Sequence, residues 1–84
     1  MPERYECPVC GYGGLSELPR SDAGGGSFEI CPSCGFQFGV SDDDAGWTYE
    51  SWRAAWVLGG MQWSSVSEVE PGEWNPESQL RAVT

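Results

Sequence analysis

Hydrophobic positions along the 84-residue chain change period near its middle. In SFEICPSCGFQFGV, residues 27–40, apolar and polar side chains alternate: Phe28 and Ile30 share one face with Glu29 on the other, and Phe36, Phe38 and Val40 alternate with Gln37 and Gly39. This period of two predicts a β-hairpin with Cys31 and Cys34 at its tip, ended by the charged run Ser41-Asp42-Asp43-Asp44. Farther on the period lengthens to that of a helix. Tyr49, Trp52 and Trp56 are spaced i, i+3, i+7 and form one aromatic stripe. Thr48 is placed to cap this helix, Trp47 and Trp52 occupy the N′ and N4 positions of a hydrophobic staple, and Glu50 lies in the first turn. Gly59-Gly60 stops it, so the pattern predicts a helix over 49–58. A second, shorter helix is predicted in WNPESQLRAV, with Asn75 as cap, Pro76 at the first helical position and Glu77 near the positive end of the dipole.

Between these patterned segments, residues 15–27 are polar and carry Pro19 and Gly24-Gly25-Gly26, which predicts a mobile connecting loop. The whole reads as a small α+β chain forming one domain, 1–84. A cysteine-bearing ribbon over 5–40 is followed by a Trp-rich part over 47–84 with one or two short helices. A domain this short buries a limited core, and such domains often depend on disulfides, metals or association.

The sequence supplies a staple of that kind. CPVCGY at residues 7–12 returns as CPSCGF at residues 31–36, and these two copies hold all four cysteines of a chain without histidine. The N-terminal stretch has neither an apolar run nor a small-residue cleavage site, and nothing later reaches the length of a membrane span. This predicts a cytoplasmic protein without a membrane partner, where C-x-x-C pairs read as metal ligands or redox groups before structural disulfides. Twenty residues separate Cys10 from Cys31, at the upper edge of the spacing for two C-x-x-C pairs on one tetrahedral zinc. Each pair closes a tight turn. Pro8 and Pro32 fix φ at its second position, and Gly11 and Gly35 permit φ > 0 just after the second cysteine, a bend expected to aim backbone N–H groups at the sulfurs. Cys7, Cys10, Cys31 and Cys34 are therefore the expected ligands of one zinc ion. Four cysteines leave no position open to water, so the site reads as structural rather than catalytic. No βαβ pattern surrounds either pair, which speaks against a thioredoxin-like dithiol.

Charge narrows the role further. Thirteen acidic residues against four arginines, with no lysine, give a net charge of −9, and Arg4, Arg20, Arg53 and Arg81 are scattered singly. Nucleic-acid binders neutralise phosphates with clustered cations, so nucleic acid is disfavoured as a partner. Asp42, Asp43 and Asp44 are contiguous and lack the alternating ligand spacing of a calcium loop; they read as a solvated turn. Ser41, Ser51 and Ser64 have no histidine to activate them, and the chain reads as a non-enzyme. Five tryptophans are many for this length. They are expected to build much of the C-terminal core, with the set Trp52, Trp56, Trp63 and Trp74 leaving some ring surface for an unknown protein partner or for self-association.

YECPVCGY and CPSCG, residues 5–12 and 31–35, resemble the two iron-binding loops of rubredoxins, and zinc ribbons share the same loops. That resemblance implies iron and electron transfer as the alternative to zinc. Rubredoxins carry the second loop near the C-terminal end, whereas about half of this chain follows Gly35. A wider resemblance, over residues 5–44, is to the small bacterial cysteine-rich CPCC family. CPVCGY, Leu15, FEICPSC, Phe36, Phe38 and SDDD stand where that pattern has them, with Val9 in place of the cysteine at the third position of the first motif and Gly35 in place of an aromatic residue. The resemblance implies a metal-binding fold with the same four cysteines and no established activity.

Overall fold

A computed structural model describes residues 4–84; residues 1–3, counted into the single domain 1–84 on sequence grounds, lie outside the described residues. Two helices form where the pattern places them, α1 over Tyr49–Leu58 and α2 over Pro76–Leu80. Thr48 caps α1 through its side chain, which accepts from the Ser51 N–H at 2.9 Å, while the Ser51 hydroxyl accepts from the Thr48 N–H at 3.0 Å. This reciprocal pair is a capping box in which serine takes the place of the usual Glu or Gln. The staple also forms, Trp47 meeting Trp52 edge to face with centroids 5.0 Å apart. At the other end Gly59 caps the helix and Gly60 turns away with φ 98°. Asn75 caps α2 by accepting from the Ser78 N–H at 3.0 Å, and Pro76 opens it.

The cysteine half holds its shape through short antiparallel contacts rather than continuous strands. Tyr5 pairs with Leu15, Arg20 with Gly26 and Ile30 with Gln37, each as an isolated bridge. Across the second cysteine pair, Cys31 N–H donates to the Phe36 carbonyl, Phe28 N–H to that of Phe38, and Phe38 N–H to that of Glu29. Phe28 and Glu29 thus oppose Phe38 together, a bulge in which Phe28 takes φ 65°. The bulge breaks the alternation read from the sequence: Phe28 and Ile30 are exposed, at 63% and 57%, while Phe36 and Phe38 are fully buried. The two sides of the expected hairpin do not share one core face.

The core consists of the four cysteines with Val9, Leu15, Phe36, Phe38 and Trp56. Helix α1 lies against it along an aromatic seam in which Phe36 meets Tyr49 and Trp52, both edge to face at 5.4 Å. A second seam runs from Tyr12 to Trp63 at 5.6 Å and from Trp63 to Trp74 at 5.3 Å, joining the first cysteine turn to the approach of α2. Both halves of the sequence therefore share one interior.

The connection over residues 15–27 is tied down at several points. Leu15 is fully buried, and Glu29 accepts from the backbone N–H groups of Ser16 and Glu17. Arg20 forms ion pairs with Asp42 at 2.8 Å and Asp43 at 2.9 Å and donates to the Gly24 carbonyl. Gly26 packs so closely on the next turn that a Cβ there would lie 2.4 Å from the Gly39 nitrogen. The aspartate run is thus partly an anchor for this loop. Burial pushes the Asp42 carboxyl up, but the N–H groups of Asp43 and Gly39, aided by Arg20, hold it below the ordinary carboxylate range.

Candidate metal centre

The repeated hexapeptides fold into two turns of the same construction. In the first, Gly11 N–H donates to the Cys7 carbonyl at 2.8 Å and Cys7 N–H to that of Tyr12 at 2.7 Å. In the second, Gly35 N–H donates to the Cys31 carbonyl at 2.8 Å and Cys31 N–H to that of Phe36 at 2.9 Å. Gly11 at φ 85° and Gly35 at φ 83° make the bend, in the left-handed region where side chains are strained. These two glycine N–H groups close the turns on carbonyls.

The turns face each other and bring Cys7, Cys10, Cys31 and Cys34 into one cluster. Their sulfurs all lie within 4.8 Å of one another, and each residue is buried. Across the turns, the sulfurs of Cys10 and Cys31 stand 3.7 Å apart and those of Cys7 and Cys34 3.9 Å apart. A disulfide needs sulfurs about 2.05 Å apart, so these are thiols in contact. Four sulfurs about 2.3 Å from a tetrahedral zinc stand about 3.8 Å apart, which is the spacing of the facing pairs. The Cys10 thiol is held far below its ordinary range by hydrogen bonds from Cys31, then Cys34 and Cys7, acting against burial. Cys31 and Cys34 are pushed far up, foremost by the hydrogen bond each makes with Cys10. A divalent cation held by these four residues would favour their thiolate forms.

The rest of the chain closes over the turns. Six peptide carbonyls belong to the interiors of the two knuckles, and each accepts a hydrogen bond from the C-terminal half. Arg53 on α1 donates through Nη2 to the Pro8 carbonyl at 2.8 Å and through Nε to that of Val9 at 2.6 Å. Gln79 on α2 donates from Nε2 to the Cys10 carbonyl at 3.2 Å and to the Ser33 hydroxyl at 2.9 Å, while its Oε1 accepts from the Trp74 indole at 2.8 Å. Ser64 N–H is shared between the carbonyls of Pro32 and Ser33, and Ser65 N–H donates to that of Pro32. The Trp52 indole completes the set by donating to the Cys34 carbonyl at 2.9 Å. Side chains on both helices and one extended segment thus clamp the two knuckles, with a guanidinium brought onto the first.

Neither Arg53 nor Gln79 is among the site residues singled out from sequence. For Arg53 a signal was present, since it lies at i+4 of the stripe formed by Tyr49, Trp52 and Trp56, where a cation on an otherwise aromatic face needs a buried acceptor. Gln79 carried none. Of the tryptophans expected to leave surface free, Trp56 is 9% exposed and donates to the Gln62 carbonyl, and Trp52, Trp63 and Trp74 are half-buried. The most open indole is Trp47, at 40%, outside that set. Among the described residues no helix is long and apolar enough to cross a membrane.

Comparison with known proteins finds similar sequences among uncharacterised bacterial proteins. The sequence is 30% identical over 86 aligned positions to the uncharacterised protein YozI of Bacillus subtilis strain 168, an alignment taking in 82% of this chain and 69% of that protein. The chain belongs to the same family as YozI. It is also 48% identical over 40 residues to the uncharacterised protein YoaQ of the same organism, across 46% of this chain and 34% of YoaQ. No family model matches the chain, and no solved structure matches it.

Proposed function

We propose that the protein is a zinc-binding ribbon of the cysteine-rich CPCC type, in which Cys7, Cys10, Cys31 and Cys34 hold one structural zinc ion. On this reading it is a non-enzymatic module that presents its C-terminal half to a protein partner. The observation that carries the proposal is the buried cluster of four thiols, two of whose facing pairs have the sulfur spacing of a tetrahedral zinc site, enclosed by knuckles whose carbonyls bond to the same chain. Zinc supplies a redox-inert cross-link between the two turns, and a fourfold thiolate set leaves no position for water or substrate. Burial of the sulfurs and closure of the knuckles support a structural role over a catalytic one. The net charge of −9 favours a protein partner over nucleic acid.

Iron bound by the same ligands, with electron transfer as the role, is the competing proposal carried by the rubredoxin-like turns. Native mass spectrometry with elemental analysis decides between them. One zinc per folded chain is the expected result. One iron, with the red colour of ferric thiolate, would replace zinc by the electron carrier, and a folded chain without metal would end both readings.

A further inference from the structure

Helix α1 borders an aromatic recess that its own arginine does not line. A pocket of about 280 Å³ is lined by Cys34, Trp47, Trp52, Ala55 and Trp56. Trp47 and Trp52 stand as two of its walls at 81° to each other, with centroids 5.0 Å apart, and Trp56 lies one turn farther along α1. The polar ends of two of these rings are already engaged. The Trp52 indole donates to the Cys34 carbonyl and that of Trp56 to the Gln62 carbonyl, so these rings have no free N–H to offer a ligand.

We propose that this recess receives a cationic side chain, an arginine or lysine presented by a basic segment of a partner protein. Tryptophan faces attract a cation through their quadrupole and offer nothing to an anion. The protein charge selects in the same direction, because a chain at −9 steers cations toward itself and repels acidic partners. Asp44 and Glu50 flank Trp47 in sequence; both are exposed and without an ion pair among the described residues. The helix brings no cation of its own to the recess, since Arg53 is its one basic residue and is bound to the carbonyls of Pro8 and Val9. An aromatic recess on a chain of net charge −9, with the arginine of its own helix bound to the carbonyls of Pro8 and Val9, is complementary to a positive group on another molecule.

The inference names the chemistry of the partner in the interaction-module reading and is independent of which metal the cysteines hold. The test titrates purified protein of known metal content with hexa-arginine, with hexa-lysine and with a neutral leucine-serine hexapeptide, following the five indole N–H signals by NMR. Both basic peptides are expected to shift the indoles of Trp47, Trp52 and Trp56 while leaving those of Trp63 and Trp74 in place, and the neutral peptide to shift none. Trp47→Ala is expected to weaken binding about tenfold. Should that variant lose its helix staple and unfold, Ala55→Arg serves instead: Ala55 is exposed, and an arginine there supplies an internal cation that occupies the recess and abolishes peptide binding. Equal binding by the neutral peptide, shifts spread over the acidic surface without preference for the three indoles, or unchanged affinity in a folded variant would each overturn the proposal. A metal-free folded protein that still binds would remove the zinc reading alone, and a zinc-loaded protein that ignores the basic peptides would remove this inference alone.

Discussion

Replacing Arg53 with methionine keeps most of the aliphatic stem and removes the guanidinium that donates to the carbonyls of Pro8 and Val9. Hydrogen bonds from a charged donor contribute about 1.5–3 kcal/mol each, and a buried acceptor left unpaired loses that in full. Val9 is fully buried, so its carbonyl has no ready replacement, whereas Pro8 is half-buried and water reaches part of its share. The expected cost is about 2–4 kcal/mol, from one bond at full weight and one discounted. Because the first knuckle is assembled only in the folded chain, this cost appears in metal affinity as well as in stability. For the zinc site proposed above, it amounts to roughly a 30- to 900-fold loss in apparent affinity. Competition against a chromogenic chelator measures that loss directly. The visible absorption of the cobalt-substituted variant checks that four thiolates still bind, which separates a weakened clamp from a lost ligand. Arg53→Lys, which keeps the charge but not the planar fork, is expected to fall between. Arg81→Met, at an exposed position, is expected to change nothing. An Arg53→Met protein that competes with the chelator within a factor of about three of the parent would show that the guanidinium contact has no energetic role.

Other expectations follow from the same contacts. Chelation, or Cys31→Ser, is expected to abolish the near-ultraviolet circular dichroism of the tryptophans, since the turn that accepts the Trp52 indole is held by the cluster; a chelated protein with an unchanged spectrum would end the structural role. Gly11→Ala should destabilise by more than the roughly 1–2 kcal/mol of left-handed strain, because its Cβ would lie 2.1 Å from the Gln79 carbonyl oxygen and displace α2; chemical denaturation compares it with the parent. Within the triple glycine, Gly25→Ala is expected to be neutral or slightly stabilising and Gly26→Ala destabilising, as only the latter meets the backbone of Phe38 and Gly39; equal midpoints for the two would show that the loop is not docked. The Asp42 carboxyl is held low in the folded state, so its contribution is present above the unfolded carboxylate pKa of about 3.9 and is lost as pH falls through the depressed folded value. Asp42→Asn is accordingly expected to flatten the acid limb of the stability profile, and an unchanged acid limb would remove the role assigned to the Asp42 carboxylate and the N–H groups that hold it.

Elements governed by neighbouring residues are legible in the sequence itself. The limits of α1, the Asn75 cap and Pro76 start of α2, and the positive φ at Gly11 and Gly35 all arise within a few residues of where they are read. Capping and turn chemistry act over that range. The four cysteines are legible for the same reason, since two residues between thiols set the bite of each turn whatever the chain does elsewhere. The bulge at Phe28 is not, because alternation records which faces are available and not which face the opposite segment covers. Nor does composition show how the tryptophans divide. Trp56 enters the interior and Trp47 stays open according to how α1 rolls against Phe36 and Phe38. The clamp is the most tertiary feature of all: Arg53 reaches back 44 residues to Val9 and Gln79 reaches back 69 to Cys10. Bonds of that span depend on the packing of two helices onto two turns, and a linear pattern carries no record of which distant carbonyl a side chain will meet. Local chemistry along the chain determined the ligand turns and helix ends, while the packing of distant segments decided what encloses the cysteines, because enclosure requires donors and acceptors brought together only by the finished fold.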